Sequence, residues 1–211
     1  MATTREAILE AALRGFGKKG YDATGIREIA AGAGSNVASI SYHFGGKEGL
    51  RAACAEHIVK LMGTVLASGR SEEPPLATPE AAEATLAALV RSLVRFLLLD
   101  PDGALVAGFM MREMAQPSTA LDTIYEGLFE GAHMRVCGIW GAATGLPPES
   151  EEVRLAVFAA IGQILYFHVA RPVVARRMAW RGIGEAEAEA IVSTVVRNLL
   201  ARLDADRREA S

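Results

Sequence analysis

A chain of 211 residues, 51% of them apolar, is long enough for one large domain or a small domain fused to a larger one, so formation of a core is not in doubt. With a net charge of −3 and a pI near 5.9, it is not a polycation built to coat nucleic acid. The charge is nonetheless uneven: up to Lys60 eight basic side chains face six acidic ones, leaving the remainder at −5.

The N-terminus enters an amphipathic pattern directly, with no charged and then apolar leader, so no secretory signal is expected. The first predicted helix runs from Thr4 to Lys19, with Ile8, Ala11, Ala12, Gly15 and Phe16 on one face and Gly20 at its end. Thr24 is expected to cap a short second helix carrying Ile26, Ile29, Ala30 and Ala33. Gly34 then supplies a turn, and Asn36 caps a third helix that turns Val37 and Ile40 inward, with Phe44 just beyond. A fourth helix starts near Gly46 or Lys47; Leu50, Ala53, Cys54, His57, Ile58, Leu61, Met62 and Val65 fall at helical spacing along it. Residues 71–79, with Pro74 and Pro75, read as a linker. Further helices are predicted at about 80–99, 103–114, 118–143, 148–170 and 185–206, with no sustained period-two alternation that would announce strands. The fold class expected is therefore all-α. Cys54 and Cys137 have no ligand-like spacing and read as buried small apolar residues without a disulfide. The stretch from Val153 to Ala170 has the length of a membrane span, but Arg154, Gln163 and His168 argue for a buried helix of a soluble protein.

Two short helices around a Gly34 turn, braced by a preceding amphipathic helix, make a helix-turn-helix whose second helix is free to enter a major groove. Residues 24–50, TGIREIAAGAGSNVASISYHFGGKEGL, closely resemble the TetR/AcrR signature, and the closing Tyr-His-Phe-x-x-Lys-Glu-x-Leu fixes both the recognition helix and the start of the next. That resemblance implies groove-facing positions for Val37, Ala38, Ser39 and Tyr42. It implies phosphate contacts for Thr24, Arg27, Tyr42, His43 and Lys47. One departure is visible: Gly45-Gly46 stands where the family often has a polar cap and a basic residue.

In the body, residues 111–122, MREMAQPSTALD, and 162–172, GQILYFHVARP, look like the C-terminal domain of the CerR/CecR-like branch of TetR regulators. That branch implies sensing of drug-like or other xenobiotic compounds and control of export genes. The last two long helices offer Val157, Ile161 and Ile164, and Val192, Val196, Leu199, Leu200 and Leu203, for a four-helix dimer interface of isologous symmetry. Adaptable side chains at Phe109, Met110, Met114, Leu128, Phe129, Trp140, Ile164, Phe167 and His168 are the candidates to line an effector pocket, although such residues are more often plain core. Glu113 is expected to form a surface ion pair with the adjacent Arg112.

The expectation is thus a cytoplasmic homodimeric repressor. Residues 1–47 would bind operator DNA, and residues 48–211 would bind a small apolar effector and dimerise. Its partners would be DNA, effector and a second copy, with no membrane. One competing reading is a helix-turn-helix protein whose body binds a protein partner. Another is a small helical enzyme using Glu113, His133 and His168. For the latter there is no metal-ligand spacing, glycine-rich phosphate loop or nucleophile turn, so no catalytic residue, metal or cofactor is expected.

Overall fold

Apolar residues recurring every three or four positions commit one face of each segment to a core. In the computed structural model, which describes residues 3–67 and 78–210, every regular element among those residues is helical. In chain order these are α1 (Thr4–Lys19), α2 (Ile26–Gly32), α3 (Val37–Phe44), α4 (Lys47–Ala67), α5 (Pro79–Leu99), α6 (Pro101–Ala115) and α7 (Thr119–Ile124). A π-helical turn (Tyr125–Phe129), α8 (Glu130–Thr144), α9 (Glu151–Val169), α10 (Arg171–Arg177) and α11 (Glu185–Glu209) follow. The all-α class read from periodicity is the one observed.

The chain divides into two compact units. The first takes the residues up to Met62 together with Pro101–Phe129; the second takes Gly63–Asp100 and everything from Glu130 onward. Packing therefore draws its boundary elsewhere than a division by expected role at residue 47. In the first unit α1 packs on α6 and α2, and α2 on α3, with Ile8, Leu13, Phe16, Ile29, Ile40, Leu50, Ile58 and Phe109 all buried. The α1–α6 crossing is close because both helices present glycine there: a Cβ on Gly17 would stand 3.1 Å from the Phe109 backbone nitrogen. Cys54 lies fully buried in this core, and burial pushes its thiol far above its ordinary range, an inert state.

The second unit sets α5, α8, α9 and α11 around Leu86, Val94, Leu97, Ile139, Trp140, Val157, Val195 and Leu203. At its centre the Trp140 indole donates to Asp206 at 2.9 Å, and Arg202 bonds the other oxygen of the same carboxylate. Glu152, Asp206 and Glu209 converge within 4.8 Å, but Arg202 supplies the positive charge among them through Glu152 and Asp206.

Several boundaries differ from the sequence expectation for local reasons. The linker expected at 71–79 lies mostly outside the described residues; at its end the Thr78 hydroxyl accepts the Ala81 N–H and caps α5. The helix expected at 118–143 is broken by the π turn, whose Gly127 is set against Val59 of α4 so closely that a Cβ would meet the valine methyls at 3.0 and 3.1 Å. The helix expected from 148 begins only after Ser150, whose hydroxyl accepts the Val153 N–H. Helix α10 is a seven-residue element with Pro172 in its first turn, too short to reveal itself by periodicity. Helix α9 meets the length and mean hydropathy, 1.3, of a membrane span. Its Val153, Ala156, Val157, Ala160 and Ile164 are buried within the second unit and Asn198 of α11 donates to Gln163, but Leu155, Phe158, Tyr166 and Val169 are exposed, so it is not the buried helix expected.

Candidate nucleic-acid interface

The Asn36 side-chain oxygen accepts the Ser39 N–H at 2.9 Å and starts α3, and the fully buried Ile40 anchors that helix on the core. One anchor on an eight-residue helix leaves the opposite face outward. Val37 and Ala38 are exposed, Ser39 lies on the same outward side, and Tyr42 is 85% exposed with the exposed His43 edge-on to its ring at 5.0 Å. Val37, expected to turn inward, thus stands outward at the first turn; only Ile40 on this helix is fully enclosed. The Ser39 hydroxyl also donates to Asn36, which leaves its oxygen free to accept.

The α3–α4 junction is built from glycine. Gly45 has φ +73° and closes α3 by donating to the Ser41 carbonyl, while Gly46, at φ +121°, accepts the Leu50 N–H and opens α4. Both conformations are strained for side-chain-bearing residues. A Cβ on Gly49 would lie 1.9 Å from the Phe44 carbonyl oxygen, so the first turn of α4 can close on the last turn of α3 only with glycine there. The polar cap absent from the sequence is thereby replaced by backbone geometry.

Cations border the exposed face. Arg27 of α2 is exposed, and the Arg5 guanidinium lies 5.1 Å from the centre of the Phe44 ring. The Lys47 ammonium stands 4.3 Å over the Tyr21 ring, with the Arg51 guanidinium 4.4 Å from the same ring. Tyr21 donates its hydroxyl to Glu48 at 3.1 Å; burial first, and this bond second, raise its phenol above the ordinary value. Sequence reasoning misses Tyr21, Arg5 and Arg51, for which the only signal is an aromatic or basic residue near a helix end.

Thr24 is a correction. It is expected as the cap of α2 and as a phosphate contact, but Gly25 occupies the cap position. The Thr24 side chain is fully buried, its hydroxyl donating to the Gly20 carbonyl at 2.7 Å and its methyl packed where a Cβ on Gly15 would fall. That hydroxyl is enclosed and already committed to the Gly20 carbonyl, not offered at the surface. Glu113 is a second correction: it is 2% exposed and pairs with Arg51, while Arg112 donates instead to the Lys18 carbonyl.

The candidate effector residues fall in both units. Phe109, Met110, Met114, Leu128 and Phe129 belong to the first, where Phe109 is fully buried 6.4 Å from Phe16 and Met114 is 46% exposed. Trp140, Ile164, Phe167 and His168 belong to the second; Trp140 and Ile164 are buried, and a ring nitrogen of His168 meets the Leu97 carbonyl at 3.0 Å. Of the residues expected to dimerise, Val157, Ile164, Val192, Leu199 and Leu203 are buried within the second unit, whereas Ile161, Val196 and Leu200 are half-buried. The exposed apolar stripe on α9 is a different set: Leu155, Phe158, Tyr166 and Val169.

Comparison with known proteins agrees with this architecture. Residues 8–54 match the model for bacterial regulatory proteins of the tetR family, and residues 82–205 match that for the C-terminal domain of the HTH-type transcriptional dual regulator CecR. CecR of Shigella flexneri is 32% identical over 196 residues, covering 90% of this chain and 87% of that protein. The regulatory protein RaaS of Mycobacterium tuberculosis is 30% identical over 79% of this chain and 73% of its own. Among solved structures, AibR in complex with isovaleryl coenzyme A and operator DNA superposes with a TM-score of 0.70 at 19% identity, over 93% of this chain and 98% of that one. The fatty acid degradation regulator FadR of Bacillus halodurans gives 0.67 at 21% identity, over 95% and 96%. With an outward-facing recognition helix in its N-terminal unit and a CecR-type body behind it in sequence, the chain belongs to the tetR family of bacterial transcriptional regulators.

Proposed function

We propose that this regulator is a cytoplasmic homodimeric repressor: residues 1–47 bind operator DNA, and residues 48–211 dimerise and bind a small apolar effector that releases the DNA. No catalysis, metal or cofactor enters this reading. The observation that carries it is the outward face of α3, Val37, Ala38, Ser39 and Tyr42, with His43 against the Tyr42 ring, Lys47 at the start of the next helix and an exposed Arg27 on the preceding one. Short, mostly uncharged side chains let the helix approach base edges and thymine methyls closely, while the cations and the Tyr42 hydroxyl fix its register on phosphates. Base preference then rests partly on apolar contact and DNA shape.

The capture of AibR with both isovaleryl coenzyme A and operator DNA supports a ligand-responsive reading of the shared fold. An effector that binds better to the DNA-incompetent state weakens operator binding by the same factor by which DNA weakens effector binding. The candidate effector-meeting side chains stay as two separate sets, Met110, Met114 and Phe129 in the first unit and Phe167 and His168 in the second. Because the CecR relative is named a dual regulator, a second reading has the same chain also activating at some promoters.

The test is titration of the duplex that the wild-type chain selects from a random pool. Tyr42→Ala combined with Lys47→Ala is expected to weaken binding at least about tenfold and to lower the salt slope by about one unit for each phosphate no longer neutralised. Wild-type affinity and slope in a variant of normal helicity would refute the assignment of this face.

A further inference from the structure

Deep in the first unit lies a carboxylate that the DNA-binding reading does not use. Glu113 of α6 accepts from Arg51 Nε at 2.9 Å and Arg51 Nη2 at 2.8 Å, and the Ser118 hydroxyl at the start of α7 donates to it at 2.6 Å. Removing such a pair from water costs about as much as its attraction returns, and apolar residues of similar volume would fill the space equally well. Stability alone does not explain it. What the pair supplies is direction. It turns the Arg51 guanidinium inward, beside the Tyr21 ring that also carries the Lys47 ammonium and donates to Glu48. Residues 47, 48 and 51, one turn of α4, thus grip one ring. The neighbouring Arg112 donates to the Lys18 carbonyl at the end of α1, so two consecutive residues of α6 hold α1, which leads into the Tyr21 loop, and α4, whose side chains meet the Tyr21 ring.

We infer that Glu113 is a positioning residue for operator binding, acting through Arg51 and Tyr21 on Lys47. The inference rests on the proposed role of Lys47 as a phosphate contact. Lys47 and Arg51 are like charges at i and i+4, a spacing at which they repel on the helix surface. Glu113 neutralises Arg51 and withdraws it, leaving Lys47 as the outward cation and the ring as its support. Without the carboxylate, Arg51 is a buried charge lacking its partner and turns toward water, and the ring and Lys47 lose their fixed placement.

The experiment is a cycle in the full chain, read by titration of the selected duplex: Glu113→Gln, Lys47→Ala, both together, and the apolar replacement Arg51→Met with Glu113→Leu. Glu113→Gln is expected to weaken binding about tenfold alone and to add little once Lys47 is gone, because both changes remove one coupled contribution. The apolar replacement should melt like the wild type and still lose affinity, so it decides the matter if Glu113→Gln does not fold. Independent, multiplying effects of Glu113→Gln and Lys47→Ala, or wild-type affinity in a folded apolar replacement, would overturn the inference while leaving the Lys47 role intact. Unchanged affinity and salt dependence in Lys47→Ala alone would remove the phosphate role itself, and the inference with it.

Discussion

Gly49 carries more of the DNA-facing geometry than its neighbours Lys47 and Glu48, although it has no side chain. It sits where the Phe44 carbonyl oxygen would be 1.9 Å from a Cβ, and that oxygen belongs to backbone closing α3, which cannot yield as a side-chain tip does. Gly49→Ala is therefore expected to destabilise the chain by about 2–3 kcal/mol, the range for forced overpacking. Gly63 lies in the same helix with open space around it, and Gly63→Ala should be stabilising by roughly 0.5–1 kcal/mol through helix propensity. Denaturant midpoints of the two variants shift in opposite directions if this account holds; two losses of equal size would show that the junction is not what Gly49 protects. The same close fit lets α4 begin directly after α3 with no side-chain cap between them.

At the scale of elements, helix starts respond to pH through their caps. Thr3 and Glu6 form a reciprocal pair at the start of α1, and the Thr3 backbone N–H, then its hydroxyl, hold the Glu6 carboxyl below its ordinary 4.5. A carboxyl lowered on folding stabilises the folded state above its unfolded value, and that contribution is lost as pH falls through the lowered one. Amide exchange in the first turn of α1, corrected for its intrinsic pH dependence, is accordingly expected to show falling protection on acidification from about pH 5 to pH 3, and Glu6→Gln should flatten that dependence. A first turn equally protected at both pH values would count against the cap. Caps of this local kind are legible in the sequence: Asn36 stands where periodicity puts it, and α1 has the bounds expected of it. Thr24 misleads because threonine suits either a cap or a core position, and the deciding neighbours, Gly15 and the Gly20 carbonyl, are supplied by the fold of α1. Glu113 misleads in the same way, since its partner Arg51 is 62 residues distant while Arg112 is adjacent. Val37 can be read both ways, and the single anchor Ile40 settles its outward place.

For the whole molecule, the proposed DNA-binding face is useful only in duplicate. Two recognition helices entering successive major grooves must lie about 34–36 Å apart, so a monomer reads one half-site and forfeits the effective concentration that joins the two. The proposed interface uses the outward stripe of α9, Leu155, Phe158, Tyr166 and Val169, recurring at three- to eight-residue steps around Gly162, with half-buried Ile161, Val196 and Leu200 alongside. Such a contiguous exposed apolar face is characteristic of a buried contact between copies. The residues that periodicity singles out, Val157, Val192, Leu199 and Leu203, already fill the core of the second unit, because periodicity marks an apolar face without saying which neighbour covers it. This separates two substitutions that look alike in the sequence. Leu199→Glu places a charge in the core and should unfold the second unit, whereas Tyr166→Glu places one on a surface that is 57% exposed and should leave a folded monomer. In sedimentation, Tyr166→Glu is expected to run at half the wild-type mass with unchanged helicity, and its affinity for the two-half-site duplex should fall about a hundredfold or more. Its affinity for a single half-site should stay that of the wild type, since α3 is untouched. An intact dimer in Tyr166→Glu would place the interface on another face, and a monomer with full affinity for the complete duplex would show that the two half-sites are not read together.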